Sequence, residues 1–325
     1  MVLGIGDDAA VWQPSRSHLS AVTTDALVDG VHFDARKMSA RAVGHRAMAS
    51  NLSDIAAMGA QPVLATIALG VAPGIEPEWI VECYRGLAAL AGAHGASIAG
   101  GDIVRAPALT LSITVIGEVS RTRLRTRSGG KAGDVLAVTG RLGASRAGLE
   151  LLRRELDVDA AAADTARAAF ATPEPRVREG RWLAASTHVH AMMDCSDGLS
   201  TDVARLAAAS GCGATLTDAA VHPAAAAVAQ AAGDDPMRYA LDGGEDFELI
   251  VAVAPRAFRY LSDRFAQRFG GSLHPVGTLD REAGLRVREA GGVDARALVP
   301  AGFDHLAGAP AQGFKRSRPR NSWSA

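Results

Sequence analysis

Short runs of apolar, largely branched residues recur along the chain at 63–71, 109–116, 135–139 and 247–253. Their length and composition predict buried strands. Between them apolar residues return every three to four positions, the period of a helix with one buried face. Over 76–94, Trp79, Ile80, Cys83, Tyr84, Leu87, Leu90 and Ala91 fall on one stripe, with Pro77 suited to the first turn and Gly95 to the stop. Further helices are predicted over 40–58, ended by Gly59 and Pro62, and over 144–156, 199–210 and 256–269. In the last of these Phe258, Leu261, Phe265 and Phe269 share one side. The Ala/Asp-rich stretch 157–169 fits helix or loop. No internal repeat of solenoid type is present.

The polar, basic segment 120–133, with Gly129 and Gly130, lacks such periodicity, and a new strand follows Asp134. A domain boundary is expected there, dividing the chain into 1–125, 126–307 and a Pro/Gly/Ser-rich basic end, 308–325, expected to be a disordered tail. A length of 325 residues and 48% apolar content suit two ordinary α/β domains. Charge adds little: 34 basic against 35 acidic residues leave a net −1, so no overall field points to nucleic acid or an acidic membrane surface. No apolar stretch approaches the roughly 20 residues that span a bilayer. The start of the chain does not read as a secretory signal. Three cysteines, Cys83, Cys195 and Cys212, make neither a disulfide framework nor a metal finger, which fits a reducing, cytoplasmic setting.

The informative pattern is acidic. Asp7 and Asp8 lie among glycines, Asp25 follows Thr23 and Thr24, and Asp54 lies in an apolar helix one turn from Asn51. Asp102 follows Gly100 and Gly101, Asp194 and Asp197 bracket Cys195 and Ser196, and Glu245 and Asp246 follow Gly243 and Gly244. Such junctions between apolar strands and Gly-rich turns are where α/β scaffolds collect ligands. Two carboxylates about 4 Å apart repel by roughly 4 kcal/mol at an effective dielectric near 20, so a cluster calls for protons or cations. Hard oxygen donors without Cys or His spacing favour Mg²⁺, which shares its shell with phosphates. Each residue has a plainer reading: Ser196 or Asp197 as a helix cap, Asp7 and Asp8 as turn residues, Asp54 on a solvated face. The set, not any member, carries the inference.

No G-x-x-x-x-G-K-[ST] loop, protein-kinase signature or G-x-G-x-x-G after a strand is present. A nucleotide would therefore be held through metal ions and a few basic donors. Arg127, within Thr126–Gly130, is the leading donor because its guanidinium fork matches phosphate oxygens. A surface linker arginine is the plainer alternative.

At these residues the chain resembles the thiamine-monophosphate kinases, of the superfamily that includes aminoimidazole ribonucleotide synthetase. The matching segments, in order, are GIGDDAAV (4–11), TTDALVDGVHF (23–33), NLSDIAAMGAQP (51–62), GGDIVR (100–105), RSGGKAGD (127–134), DCSDGLSTD (194–202) and GGEDFEL (243–249). The resemblance implies an α/β (α+β), two-domain aminoimidazole ribonucleotide synthetase-like fold. Its N-terminal sheet would pair across a homodimer, and its C-terminal domain would cover the nucleotide. It implies Asp8, Thr23, Thr24, Asp25, Asp54, Asp102, Asp194 and Asp197 as ligands of several Mg²⁺ ions. Gly101, Asp102, Arg127 and Ser196 are implied as ATP contacts, and His32, Glu245 and Phe303 as contacts to thiamine monophosphate. His32 also suits a structural hydrogen bond and Phe303 a core contact. The resemblance further implies a helical segment ahead of GIGDD, a motif that begins here almost at Met1.

The activity so implied is ATP-dependent phosphorylation of thiamine monophosphate to thiamine diphosphate by direct in-line transfer. A phosphate monoester is already largely ionised near neutrality (second pKa about 6), so no dedicated general base is required and no single catalytic residue is assigned. Two other readings share the acidic set. One is a selenophosphate or ribonucleotide synthetase type of the same superfamily; the absence of a cysteine before Cys83 weighs against selenophosphate chemistry. The other is a non-catalytic nucleotide- or metal-binding module.

Overall fold

The computed structural model describes residues 16–288 and 294–302. Asp8, Phe303 and the basic end 308–325 lie outside the described residues.

The first half builds a four-stranded sheet from β1 (His18–Val28), β2 (Gln61–Val71), β3 (Ser97–Arg105) and β4 (Thr110–Ser120), in the order β1-β4-β2-β3. Only β2 and β3 run parallel, joined through α2 (Pro77–Ala93); α1 (Ala40–Ala57) joins β1 to β2. Along β4, Leu111, Ile113, Val115 and Val119 are buried while the alternate residues are only half covered, the mark of a sheet with one helix-covered face. Ser39 caps α1, its hydroxyl accepting from the Ala42 amide at 3.2 Å. Gly44 and Gly86 let α1 and α2 touch: a Cβ at Gly44 would lie 2.0 Å from the Cys83 carbonyl oxygen, and one at Gly86 2.0 Å from that of Arg41.

Residues 121–134 connect to a seven-stranded sheet, order β11-β10-β7-β9-β5-β8-β6. Its strands are β5 (Val135–Val138), β6 (Val189–Cys195), β7 (Gly213–Leu216), β8 (Glu248–Val253), β9 (His274–Asp280), β10 (Leu285–Arg288) and β11 (Ala295–Ala297). The helices are α3 (Ala144–Arg153), α4 (Ala160–Ala171), α5 (Val177–Ala184), α6 (Leu199–Ala209), α7 (Pro223–Ala232), α8 (Pro236–Asp242) and α9 (Pro255–Phe269). One apolar cluster runs from α1 and β4 through Phe170, Val177 and Leu183 to Leu249, Val251 and Phe265, so the two halves share a core. That continuity fixes α1 between the first sheet and the ends of β6 and β8. Accordingly α1 is buried nearly all round, including Arg46, Asn51 and Ser53.

The predicted helices all form. The one expected to reach residue 156 stops at Arg153, and the ambiguous 157–169 stretch becomes α4, capped by Asp159. Pro62 does not end a helix but is the second residue of β2, where its missing amide falls beside a register shift between Pro62 and Leu64. Asp25 and Asp102, read as strand-end residues, stand inside β1 and β3. Among the described residues no helix is long and apolar enough to cross a membrane.

Candidate active site

Helix α1 supplies the centre. Thr23 of β1 donates its hydroxyl hydrogen to Asp54 Oδ2 at 2.5 Å, and the Asp25 amide donates to Asn51 Oδ1 at 3.1 Å. From the other side Ser53 donates to Asp194 Oδ2 at 2.9 Å, drawing the end of β6 onto the same helix. A single helix thereby brings β1 and β6, distant in sequence, to one place.

The carboxylates gathered there feel one another. Burial, with Asp25 as like-charged neighbour, pushes Asp54 up to about 6 against the pull of Thr23 and Arg127. Burial and the charges of Asp54 and Asp202 raise Asp194 well above the usual carboxylate range; it is 2% exposed. Burial raises Asp25 too, with Asp197 adding to it and a Ser50 hydrogen bond opposing it. Asp25, Asp54, Asp194, Asp197 and the Arg127 guanidinium therefore form one electrostatic neighbourhood. Arg127 opens the 3₁₀ turn Arg127–Gly129 of the connecting segment, which Ser210 pins by donating to the Arg127 carbonyl at 2.6 Å and accepting from the Gly130 amide at 3.0 Å.

The loop carrying Ser196 and Asp197 is shaped by a residue the sequence reading left unassigned. Asp202, in the first turn of α6 and fully buried, accepts at one oxygen from the amides of Ser196, Asp197 and Gly198 at 3.0, 2.9 and 3.2 Å. Burial raises it to about 6. Arg205 pairs with both Asp197 and Asp202. The sequence signal was an acid five residues beyond Asp197 on a helix start, within a segment already quoted.

The expected substrate contacts divide. His32, half-buried after β1, accepts from the Val28 amide at Nδ1, 3.0 Å away. Glu245 is 32% exposed and paired with the buried Arg46. Its amide donates to the Ser196 carbonyl at 2.7 Å, so the GGED loop and the DCSD loop are stitched together.

Two predicted metal ligands stand apart. Thr24 donates to the Ile113 carbonyl and accepts from Thr114. Asp102 is exposed and accepts from the Ile103 amide at 2.9 Å. Register gives the reason: Asp25 shares a row with Ile113, Ile67 and Gly101, while Asp102 shares the next row with Ala68, Ser112 and Ala26. Successive rows face opposite ways, and β1 and β3 are opposite edges, about 14 Å apart across three strand spacings. Gly101, an expected nucleotide contact, is on that far edge as well, with the space of a Cβ taken by the Ile67 carbonyl.

Among the described residues no three of His, Cys, Asp and Glu stand close enough to hold a metal unaided. The donors that do converge are all oxygen, and burial, with a smaller share from neighbouring carboxylates, raises Asp25, Asp54 and Asp194. That suits a hard cation completed by water and phosphate rather than a preformed protein cage.

Comparison with known proteins places this geometry. Residues 6–119 match the family model described as AIR synthase related protein, N-terminal domain, and residues 131–287 match its C-terminal domain. A thiamine-monophosphate kinase of Rhodopirellula baltica is 37% identical over 315 residues, covering 94% of this chain and 92% of the relative. The crystal structure of thiamine-monophosphate kinase from Stenotrophomonas maltophilia superposes with a TM-score of 0.80 at 35% identity, over 88% of this chain and 90% of that one. A structure described as AaThiL complexed with AMPPCP and TMP gives a TM-score of 0.79 at 27% identity, over 90% and 89%. The chain has the two-domain AIR-synthase-like fold and belongs to the thiamine-monophosphate kinase family.

Proposed function

We infer that this chain transfers the γ-phosphoryl group of ATP to a phosphate oxygen of thiamine monophosphate, giving thiamine diphosphate and ADP. A new P–O bond forms to the acceptor as the bond between the β–γ bridging oxygen and the γ-phosphorus breaks. The observation that carries the reading is the convergence of Asp25, Asp54, Asp194 and Asp197 with Arg127 where the two halves meet, in a family whose AaThiL member has been described with AMPPCP and TMP. Both reactants are anions, so the obstacle is electrostatic and positional. Arg127 offers donors to a phosphate, and the Ser196–Gly198 loop, held by Asp202, presents a fixed backbone to the nucleotide. Thr23, Asn51 and Ser53 hold Asp54, Asp25 and Asp194 to one side of α1. Asp25, Asp54, Asp194 and Asp197 with Thr23 would hold Mg²⁺, with Asp8, Thr24 and Asp102 as further ligands the resemblance implies, and the cations would offset the charge of the two anions. Glu245, His32 and Phe303 would contact the thiamine moiety, whose cationic thiazolium suits a carboxylate and an aromatic face.

The same reading includes a homodimer. Val22, Ile103 and Val104 are 65%, 56% and 52% exposed on the two edge strands, and one face of the sheet is only partly covered. A second copy that covers this face and pairs β1 with β3 would bring Asp102 of the partner subunit to the β1 edge that carries Thr24 and Asp25. We take residues 1–125 as the dimerising domain and 126–307 as the domain over the nucleotide, in a cytoplasmic enzyme whose three cysteines are free.

Purified protein incubated with ATP, Mg²⁺ and thiamine monophosphate is expected to yield thiamine diphosphate by chromatography, with ADP formation dependent on the acceptor. ADP release stimulated by a different acceptor would favour another synthetase of the superfamily. Bound but unconsumed ATP would indicate a non-catalytic module.

A further inference from the structure

The molecule buries one arginine whose place the phosphoryl-transfer reading leaves unexplained. Arg46 projects from α1 and is 1% exposed. Its Nη2 stands 2.5 Å from Glu245 Oε1. Its Nη1 donates to the Phe170 carbonyl at 2.5 Å, and the guanidinium lies 4.0 Å over the Phe170 ring. Three elements, α1, the end of α4 and the loop before β8, thus meet on one cation.

The loop it holds is strained and locked. Glu245 and Phe247 take the left-handed conformation, φ 59° and 51°, which costs a residue with a Cβ about 1–2 kcal/mol. Their amides are fixed to the carbonyls of Ser196 and Cys195, at 2.7 and 3.0 Å. The backbone of this loop is therefore fixed to the end of β6, whereas the Glu245 carboxylate lies within ion-pair distance of Arg46, whose Nε and Nη2 make no hydrogen bond among the described residues. A buried ion pair is a poor source of stability, because desolvation offsets most of the attraction. It can still favour one direction for its partner, because the guanidinium is itself held by the Phe170 ring and carbonyl and attracts the Glu245 carboxylate toward that fixed point. Glu245 remains partly exposed, so the carboxylate so oriented can still meet a ligand.

We propose that Arg46 is a positioning residue for thiamine-phosphate binding, aligning Glu245 from α1 and so tying the acceptor site to the helix that carries Asp54. The proposal rests on the reading of Glu245 as a substrate contact. The geometry also predicts selectivity: Arg46 contacts the Glu245 carboxylate and Phe170, so KM for ATP is expected to change little.

Steady-state kinetics of Arg46→Met, Arg46→Lys, Glu245→Gln and the Arg46→Met/Glu245→Gln double variant test it, alongside thermal melting. Arg46→Met keeps the apolar stem over Phe170 and should raise KM for thiamine monophosphate at least about tenfold, with KM for ATP nearly unchanged. Arg46→Lys, which restores the charge, should recover part of that loss. In the Glu245→Gln background the further effect of Arg46→Met on that KM should largely vanish, because the group it aligns has already changed. A folded Arg46→Met enzyme with unchanged KM for thiamine monophosphate overturns the proposal, as does a penalty that adds in full to that of Glu245→Gln. If Arg46→Met melts below the assay temperature, Arg46→Lys supplies the same comparison, and equal changes in both KM values and kcat overturn the proposal. Should Glu245→Gln itself leave KM for thiamine monophosphate untouched, it is the reading of Glu245 that fails, and this alignment fails with it.

Discussion

Replacing Asp54 by Asn separates the cost of assembling the acidic site from its use. Asn keeps the shape and can still accept the Thr23 hydroxyl at 2.5 Å, so the local structure should persist. What disappears is a charge. Burial and the Asp25 carboxylate raise Asp54 from 3.8 to about 6. At about 1.4 kcal/mol per pKa unit, ionised Asp54 disfavours the metal-free fold by about 3 kcal/mol at neutral pH, an upper value because solvent still reaches the group. The sign follows from linkage: the folded-state pKa lies above the unfolded one, so the stabilising contribution of the protonated acid is complete below about 4 and lost as pH rises through about 6. In EDTA at pH 7.5 the Asn variant should therefore melt about 3–6 °C above the parent, half of the full relief at the usual 2–4 °C per kcal/mol. That advantage should shrink towards pH 4. Added Mg²⁺ should raise the parent's midpoint much more than the variant's, and turnover should fall at least about a hundredfold, the scale of losing one electrostatic stabiliser. Calorimetry with and without Mg²⁺, paired with the thiamine diphosphate assay, reads all of this. An Asn variant with the parent's melting profile in EDTA and near-normal turnover would refute the argument that Asp54 is held at a cost for a cation.

Other perturbations follow from the same structure. Asp202→Ala removes the acceptor of three loop amides and should cost about 2–4 kcal/mol in urea unfolding, with a raised KM for ATP because the Ser196–Gly198 loop loses its shape. Gly86→Ala puts a methyl 2.0 Å from the Arg41 carbonyl and should destabilise by about 1–3 kcal/mol as α1 and α2 separate, which thermal unfolding would detect. Burial lifts Asp246, which accepts from the Gly143 and Ser145 amides, to about 7. Its contribution to stability is therefore present at low pH and lost as pH rises through about 7, so Asp246→Asn should flatten the fall in melting temperature between pH 6 and 8.

How much of this was legible in the sequence differs from element to element. The stripe in α2 and the flanking Pro77 and Gly95 announce a helix because only one face is buried, and periodicity reports that. Helix α1 was also visible, but its surroundings were not: it is buried almost all round, so nothing in its pattern says which face meets β1 and which meets β6. Strands β1 and β3 escaped because their apolar content is thin. β1 alternates half-covered with exposed residues, and β3 is interrupted by Gly100 and Gly101, so neither reads as a buried run. The acidic motifs contain Asp25, Asp54, Asp194 and Asp197, whose carboxylates the structure brings within electrostatic reach of one another. They could not name Asp202 or Arg46, whose roles depend on backbone amides and on a carboxylate about two hundred residues away.

The placement of Asp102 leads to the strongest demand on the assembly. It belongs to the motif set, yet within one chain it lies on the far edge of the sheet from Asp25 and in a row facing the other way. No side-chain rotation closes about 14 Å. In the proposed homodimer, Asp102 would serve a site whose Asp54 belongs to the other copy. Mixing two inactive variants, Asp54→Asn and Asp102→Asn, then has a definite outcome. In a mixed dimer one site inherits both lesions and the other inherits neither. Random exchange makes about half of the dimers mixed, each with one of its two sites intact, so about a quarter of parental activity should return. If instead each chain used its own Asp102, every site in the mixture would carry one lesion and no activity would return. Subunit exchange verified by native mass spectrometry, with no recovery of thiamine diphosphate synthesis, would exclude the shared site.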